Sequence, residues 1–463
     1  MTPTRSAAAV VGPVFVTIVL MVTLFLRLPI KSVFALSPEL FFFVFAALVV
    51  SFVLWLDRTP DRLRGIGAVE WAMAAYLAWN VFSMLAPHEF TAGNPLSFDP
   101  YSVPRFLIIA VVFPFGLYVV GRYAFDSARA VHALLWTILG LAGYAATVSV
   151  MPAVGLSDLV WPRYVVELPA SERAWAGRAV GIFNQPVANG MVLSLGIGIA
   201  IVLISRRTEP TWRKWVAFVI AGACGYGVFL THTRAAWLGA VAVLVIGALL
   251  AKGFRRGFVG VLCLVAAVVL INWSKFTSSD RSAGGVGSQD ELMSRLNDIQ
   301  TALWAAAQKP FAGWGVGRFR AVNLYHHQQW ALDVPWTNGW GGEACHDNSM
   351  CILSELGSIG LALWVCVLAL LSYRLWKAYR TLPRQELCGK PLVIIAIFGL
   401  VILVSNGFTV DLRYLDFPTE VIFLLAGIAT GWADRHVRRE STEPMLSQIG
   451  GRRPGALDRE ASR

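Results

Sequence analysis

The sequence is short of charge. Only 14% of its 463 residues are charged, whereas 56% are hydrophobic, and a soluble domain carries about 25% charged residues. This deficit, with the repeated apolar runs, excludes an ordinary soluble protein and indicates a polytopic membrane protein. The net charge of +11 does not indicate nucleic-acid binding, because the basic residues lie in short clusters between apolar runs, as membrane topology requires.

Cysteine is scarce, and no metal-binding pattern is present. The six cysteines show no Cys/His spacing of the zinc-binding kind, and the acids Asp290, Glu291 and Asp298 form no DxD-like pair. Cys345 and Cys351 could pair on an oxidising side, but we expect Cys351 to lie already within a helix, which disfavours the pair. The sequence therefore predicts neither a metal nor a cofactor.

Long apolar runs fill most of the chain. A membrane span needs about 20 mostly apolar residues, and we predict twelve spans, near residues 10–26, 38–56, 67–86, 105–121, 131–152, 187–205, 214–231, 235–251, 256–273, 349–372, 391–410 and 417–433. Lys and Arg are more numerous in the loops on the side of the termini, which places both termini in the cytoplasm.

These spans predict an all-α polytopic membrane protein in four parts. Residues 1–273 hold nine spans with an outer loop near 152–186, and residues 274–348 form a large outer loop. Residues 349–433 hold three further spans, and 434–463 form a disordered basic tail. Within the large loop, residues 290–308 predict an amphipathic helix, because leucines and other apolar residues recur there at helical spacing.

A polar cluster ends the large loop at His346, Asp347 and Asn348, where an apolar helix with Glu355 begins. Histidine is the commonest general base near neutral pH, so His346 is a candidate base that Asp347 or Glu355 could orient. Asp347 or Asn348 is expected to cap the helix. Glu355 needs a partner or a water-filled cavity; a substrate contact and a structural ion pair with an outer arginine remain open.

Arginines are frequent on the predicted outer side. Arg234 lies between two apolar runs, and its planar donor fork suits phosphate, although contact with lipid headgroups is an alternative. Arg413 stands beside Asp411, so local pairing is its alternative. Further candidates for binding an anionic substrate on this side are Arg178, Arg295, Arg318 and Arg320.

Four motifs follow one another along the chain: Gly181 to Pro186, Thr233 to Gly239, Arg295 with Trp304 and Pro310 to Phe319, and His346-Asp347 with Gly357 and Gly360. In this order they resemble the motifs of the O-antigen ligase and polymerase superfamily of bacterial envelope glycosyltransferases. The chain departs from the family by carrying Gln185 between Asn184 and Pro186 and by Asp347 at a position where the ligases carry an amide or serine.

The resemblance implies a GT-C-like helical glycosyltransferase of the bacterial inner (plasma) membrane with a periplasmic active site. Its donor would be a glycan on undecaprenyl diphosphate, and its acceptor the lipid A–core in a ligase or another lipid-linked glycan in a polymerase. In an inverting, metal-independent reaction His346 would take the acceptor proton, and Arg234 and Arg295 would stabilise the leaving diphosphate. The implied substrate-binding residues are Arg178, Asn184, Arg318, Arg320, Asp347, Asn348, Glu355 and Arg413.

A transporter is the competing class. It is disfavoured because the chain has no evident inverted repeat and few charges within its spans. Besides the donor and acceptor, the expected partners are membrane lipids, and no cofactor is implied.

Overall fold

The computed structural model describes residues 8–34, 39–59, 65–97, 101–171, 176–278, 289–330 and 345–450. Within these residues the protein is mostly helical and contains no strand. The first nine helices are α1 Ala8–Phe25, α2 Arg27–Phe34, α3 Leu40–Asp57, α4 Ala68–Leu85, α5 Val103–Leu107, α6 Phe113–Ala124, α7 Ala128–Val150, α8 Tyr164–Ser171 and α9 Pro186–Ile204. The others are α10 Thr211–Leu230, α11 Arg234–Leu250, α12 Arg255–Ile271, α13 Trp273–Phe276, α14 Gln289–Gln308, α15 Phe319–Tyr325, α16 Asn348–Thr381, α17 Lys390–Gly407 and α18 Asp416–Gly450.

Short helical turns complete the described secondary structure. A π-helical turn joins α5 to α6, and four 3₁₀ turns lie in the connections, at Pro152–Val154, Ser157–Leu159, Gly181–Phe183 and Leu412–Tyr414.

Eleven of the twelve predicted apolar runs each correspond to one helix, and the run at 105–121 covers α5, the π-helical turn and the start of α6. By length and composition, seven helical segments of the described chain could cross a membrane: Leu40–Asp57, Val103–Ala124, Ala128–Val154, Pro186–Ile204, Thr211–Leu230, Asn348–Thr381 and Lys390–Gly407. Two shorter apolar helices, Gly12–Phe25 and Arg234–Leu250, accompany them. The protein is therefore a helical bundle of the multi-pass membrane kind, whereas the count of twelve spans stays a prediction.

Helix α9 forms the centre of one half of the bundle. It is buried along nearly its whole length, as expected for a helix that is apolar on every side. It packs against α7, α10, α11 and α17. Gly190 lies directly against Ala236, and Gly198 lies directly against Phe398. Small residues at these positions allow the helices to approach closely.

The other half is organised by the contact between α6 and α18. A Cβ atom at Gly427 would lie 2.1 Å from the carbonyl oxygen of Tyr118, and one at Gly431 would lie 2.1 Å from that of Arg122. The two helices therefore touch backbone to backbone. Arg435 follows on α18 and donates to the carbonyl oxygens of Arg122 and Phe125. These hydrogen bonds satisfy backbone carbonyl groups that have no partner within the helix at the end of α6.

Two segments outside the apolar helices can be compared with the sequence. The amphipathic helix predicted at 290–308 is confirmed by α14, which packs against α16. The tail differs from the prediction, because α18 continues as a helix past residue 433 to Gly450; the part of the predicted tail at 451–463 lies outside the described residues. The middle of the large loop, 331–344, also lies outside them.

Candidate functional site

His346 pairs with a buried carboxylate from another helix. Its Nδ1 lies 2.7 Å from Oδ2 of Asp298 on α14. Asp298 is 3% exposed, whereas the side chain of His346 is 40% exposed. The other carboxylate oxygen of Asp298 accepts a hydrogen bond from Nδ2 of Asn323 at 3.1 Å. A carboxylate held on Nδ1 orients an imidazole and leaves Nε2 to exchange a proton.

This partner corrects an expectation from the sequence. Neither Asp347 nor Glu355 orients His346; Asp298 does. The sequence contained a signal for Asp298 as a site residue. Asp298 follows the candidate Arg295 by three residues, and residues so spaced share one face of a helix. Arg295, a candidate for charge stabilisation, is therefore one turn from the carboxylate that holds His346.

Asp347 caps α16, as predicted. One of its carboxylate oxygens accepts hydrogen bonds from the backbone N–H groups of Ser349 and Met350, at 2.8 and 2.9 Å. Burial raises the pKa of Asp347, and the two backbone donors oppose that rise. Asn348 is the first residue of the helix, and its Oδ1 accepts from the backbone N–H of Leu412 at 3.2 Å. Both residues thus fix where α16 begins.

Cys345 and Cys351 form a disulfide, with Cα atoms 5.8 Å apart. The prediction that the helical position of Cys351 would disfavour the pair is wrong. Cys351 lies in the first turn of α16, as expected, but Cys345 precedes the cap, where the chain can fold back beside that turn. The cysteines Cys224, Cys263, Cys366 and Cys388 are free.

Glu355 is joined to Arg413 inside the protein. Its Oε2 accepts from Nη1 of Arg413 at 2.8 Å, and its Oε1 accepts from the backbone N–H of Phe319 at 3.0 Å. Arg413 also donates through Nε and Nη2 to both oxygens of Asp411, at 2.9 and 2.7 Å. These three charged side chains are buried, so the structure contains both the ion pair and the local pairing that the sequence left open.

Gly357 breaks α16, which lets a turn of the large loop dock into the helix. Its backbone has φ 68° and ψ −172°, outside the helical region. Near the break, the carbonyl oxygens of Ser354 and Glu355 accept from the backbone N–H groups of Trp314 and Gly315, at 2.9 and 2.8 Å. This glycine-rich turn, Gly313 to Gly317, thereby satisfies carbonyl groups that a continuous helix would use itself.

Gly360 lies where two helices pack closely. It faces Trp79 of α4 at 3.3 Å from an ideal Cβ, so it permits the close approach of α4 and α16. The indole N–H of Trp79 donates to the carbonyl oxygen of Leu356 at 2.9 Å, which fixes the same contact.

Arg318 and Arg320 follow the glycine-rich turn but differ in their surroundings. Arg318 donates to the carbonyl oxygens of Phe90 and Val316, at 2.8 and 2.9 Å, and so ties the turn to the segment after α4. Burial lowers the pKa of Arg318. Arg320 is half-buried on α15, and its side chain makes no hydrogen bond or ion pair within the part of the chain that is described.

A second group of candidates surrounds the start of α11. Arg178 donates to the carbonyl oxygen of Thr231 at 3.2 Å and to Oγ1 of Thr233 at 2.7 Å. The turn between these threonines contains His232 with a φ of 44°, a conformation that non-glycine residues adopt rarely. Arg178 thus holds the turn from which Arg234 begins α11.

Asn184 and Gln185 form the turn into α9. Asn184 has a φ of 50°, and its buried Oδ1 has no hydrogen-bond partner within the described part of the chain. Gln185, the residue by which the chain departs from the family motif, caps α9: its Oε1 accepts from the backbone N–H of Val187 at 2.9 Å. The extra residue therefore has a local structural use.

The two groups lie at the same end of the bundle, and α17 connects them. Gly239 of α11 lies 3.0 Å, measured from an ideal Cβ, from Nδ2 of Asn406 on α17, and the next residue, Gly407, lies 3.7 Å from Cβ of Asn348. Arg234 lies five residues before Gly239, and His346 lies two residues before Asn348. Both are therefore placed where α11, α16 and α17 reach this end.

The fold and site define a class of helical membrane protein. At one end of its bundle it has arginines and a half-exposed histidine that pairs with a buried aspartate. Residues 218–365 match the family model Wzy_C, described as O-Antigen ligase. This match contains the motif at Thr233, α14, the glycine-rich turn and His346 through Gly360, and it confirms the resemblance to the O-antigen ligase superfamily. The motif at Gly181 to Pro186 lies outside the matched residues. Comparison with curated proteins finds no match.

Proposed function

We propose that the protein transfers a glycan from undecaprenyl diphosphate to an acceptor hydroxyl on the periplasmic side of the bacterial inner membrane, as an O-antigen ligase acting on lipid A–core. The observation that carries the proposal is the contact between His346 and Asp298 at the N-terminus of α16. It lies within the residues that match the ligase family, and its imidazole is open to solvent on one side.

In this reaction His346 acts as the general base. The acceptor hydroxyl attacks the anomeric carbon while its proton passes to Nε2 of His346, and Asp298 stabilises the imidazolium that forms. The bond between the anomeric carbon and the diphosphate oxygen breaks, and the electron pair leaves with the diphosphate. A single displacement of this kind inverts the anomeric configuration. A positioned base contributes typically about 10²–10⁴-fold to such a step.

Arginines stabilise the charge that develops on the diphosphate. Arg295 supports the proposal because it is one turn from Asp298, and Arg320 does so because its guanidinium makes no bond within the described chain. Arg234 extends the positive charge from the start of α11. We assign the neutralising role to these side chains, so the reaction needs no metal ion.

Several residues that the resemblance implies for substrate binding are assigned a supporting role. Glu355 and Arg413 bind each other and fix α16 to the turn before α18. Asp347 and Asn348 position the first turn of α16, while Arg318 and Arg178 hold the backbone of neighbouring turns. Asn184 stays a candidate for binding, since its Oδ1 has no hydrogen-bond partner among the described residues.

The disulfide supports a periplasmic position for this end. Disulfides persist in oxidising compartments such as the periplasm and are rare in the cytosol. The distribution of Lys and Arg among the loops points to the same orientation, with both termini in the cytoplasm.

Transfer in vitro tests the proposal. The purified protein in nanodiscs would receive an undecaprenyl-diphosphate glycan with lipid A–core, or without it, in the presence of EDTA. A ligase gives glycosylated lipid A–core. Longer lipid-linked glycans without use of lipid A–core would identify a polymerase, the alternative that Asp347 in place of an amide or serine keeps open. In a parallel experiment with the protein in sealed liposomes, transport of the donor across the membrane with no transfer to any acceptor would refute both.

A further inference from the structure

We infer that the Cys345–Cys351 disulfide is a positioning element of the transfer site, which holds His346 in register with Asp298. The inference rests on the proposed function. Neither cysteine contacts the substrate in this account; both act through the histidine between them.

The bond encloses the residues that matter for this site. His346, Asp347 and Asn348 all lie in the short ring that the bond closes between positions 345 and 351. The backbone N–H of Cys351 donates to the carbonyl oxygen of Asp347 at 2.9 Å, so the first helical hydrogen bond of α16 lies inside this ring. The chain entering His346 is thereby tied to the first turn of α16.

The disulfide also rests on the helix that supplies the carboxylate. Cys345 is 6% exposed and Cys351 is fully buried, and both belong to a small apolar cluster with Ala302 and Phe319. Ala302 follows Asp298 by four residues on α14, so the two share a face of that helix. The bridge thus contacts the same face of α14 from which Asp298 reaches His346.

Phe319 links the bridge to the third element of the site. It begins α15, which carries Arg320, and its backbone N–H donates to Glu355 of α16. The helices α14, α15 and α16 therefore meet at the disulfide. Opening the bond would release Cys345 from the first turn of α16. His346 could then move relative to Asp298, while the membrane helices keep their packing.

The inference predicts how the effects of replacing the two cysteines combine. This prediction distinguishes a covalent bond between them from packing of two separate side chains. Two cysteines that act as independent small apolar residues would contribute separately, so their replacements would add. A covalent bond is lost completely when either partner is removed, so the single and double replacements should have equal effects.

The test uses the full-length protein and four variants: Cys345→Ala, Cys351→Ala, the double variant and the control Cys263→Ala, which removes a free, exposed cysteine of α12. Peptide mapping after alkylation of free thiols should find the 345–351 bond in the wild type and in the control. Absence of this bond from the wild type would overturn the inference.

Kinetics of glycan transfer give the second readout. We expect kcat to fall about 10- to 100-fold in the three variants alike, since a misplacement of ~1 Å can cost about 100-fold. KM for the donor should change little, because the arginines are untouched. Wild-type kcat in these variants, or losses that add in the double variant, would overturn the positioning role. If a variant fails to fold, reduction of the folded wild type, verified by mapping, replaces it.

Amide hydrogen exchange separates failure of the inference from failure of the proposed function. Loss of the bond should speed exchange in residues 345–351 and in α14, while exchange in the buried helix α9 stays unchanged. If the wild type transfers no glycan to any acceptor, the proposed function fails and this readout still decides whether the bond holds the segment. Unchanged exchange at 345–351 would refute it.

Discussion

Replacement of Arg413 by methionine should cost a large part of the stability of this protein. Arg413 is 7% exposed and lies between two buried carboxylates, with one hydrogen bond to Glu355 and two side-chain hydrogen bonds to Asp411. Burial alone would lower the pKa of Arg413, but the two acids raise it well above its ordinary value. The side chain is therefore charged at every accessible pH, and its removal leaves two acids without a counter-ion.

The magnitude follows from burial. Removing one partner of a buried ion pair costs about 3–5 kcal/mol, because the remaining charge stays uncompensated in a medium of low dielectric constant. An exposed ion pair is worth about 0–1 kcal/mol. Arg105 provides the matched control, since it pairs with Glu39 and its side chain is 44% exposed. Arg413→Met should lower the free energy of unfolding by about 3–5 kcal/mol, and Arg105→Met by less than ~1 kcal/mol.

The assay is unfolding of the detergent-solubilised protein by denaturant, followed by tryptophan fluorescence. A loss in Arg413→Met no larger than that in Arg105→Met would refute the reasoning. A triple variant, Arg413→Met with Glu355→Met and Asp411→Leu, should recover most of the lost stability. Well-packed apolar replacements of a whole buried ion cluster are often neutral or stabilising, and no carboxylate remains unpaired.

Two further substitutions test local features of the site. Gly357→Ala should destabilise the protein by ~2 kcal/mol or more, because strain at a positive φ costs about 1–3 kcal/mol and the added Cβ would lie 2.2 Å from the carbonyl oxygen of Phe311. Gly140→Ala, with no atom within 4 Å of its added Cβ, should instead be neutral or stabilising in the same unfolding measurement. Arg320→Ala should weaken donor binding in a titration and leave the melting temperature unchanged, whereas Arg178→Ala should lower the melting temperature because it frees the turn at 231–233. Equal melting temperatures for the two arginine variants would contradict these assignments.

The positions of the helices could be predicted from the sequence because apolar runs long enough to span a membrane have few alternatives. All twelve runs became helical, yet the number of spans could not be fixed in the same way. Arg234–Leu250 is apolar but shorter than the segments that meet the length criterion, and composition alone does not tell a short span from a buried helix.

The site was predictable in part. The cap at Asp347 follows from local rules, so the sequence contains it. The contact between Asp298 and His346 joins residues far apart in the chain and depends on how α14 packs against α16. Glu355 was ambiguous because an ion pair and a substrate contact satisfy a buried carboxylate equally well. The non-helical backbone of Gly357, which breaks α16, was not predicted from the sequence.

The most direct test of the account replaces the proposed base and its carboxylate partner in the transfer assay. His346→Gln and Asp298→Asn should reduce kcat by about 10²–10⁴-fold, the contribution of a positioned general base, while donor binding persists. His132→Gln is the matched control, because His132 also contacts a carboxylate, that of Glu209 near the opposite end of α9, and should retain activity. If His346→Gln transfers glycan at the wild-type rate, the histidine is not the base and the central claim is wrong.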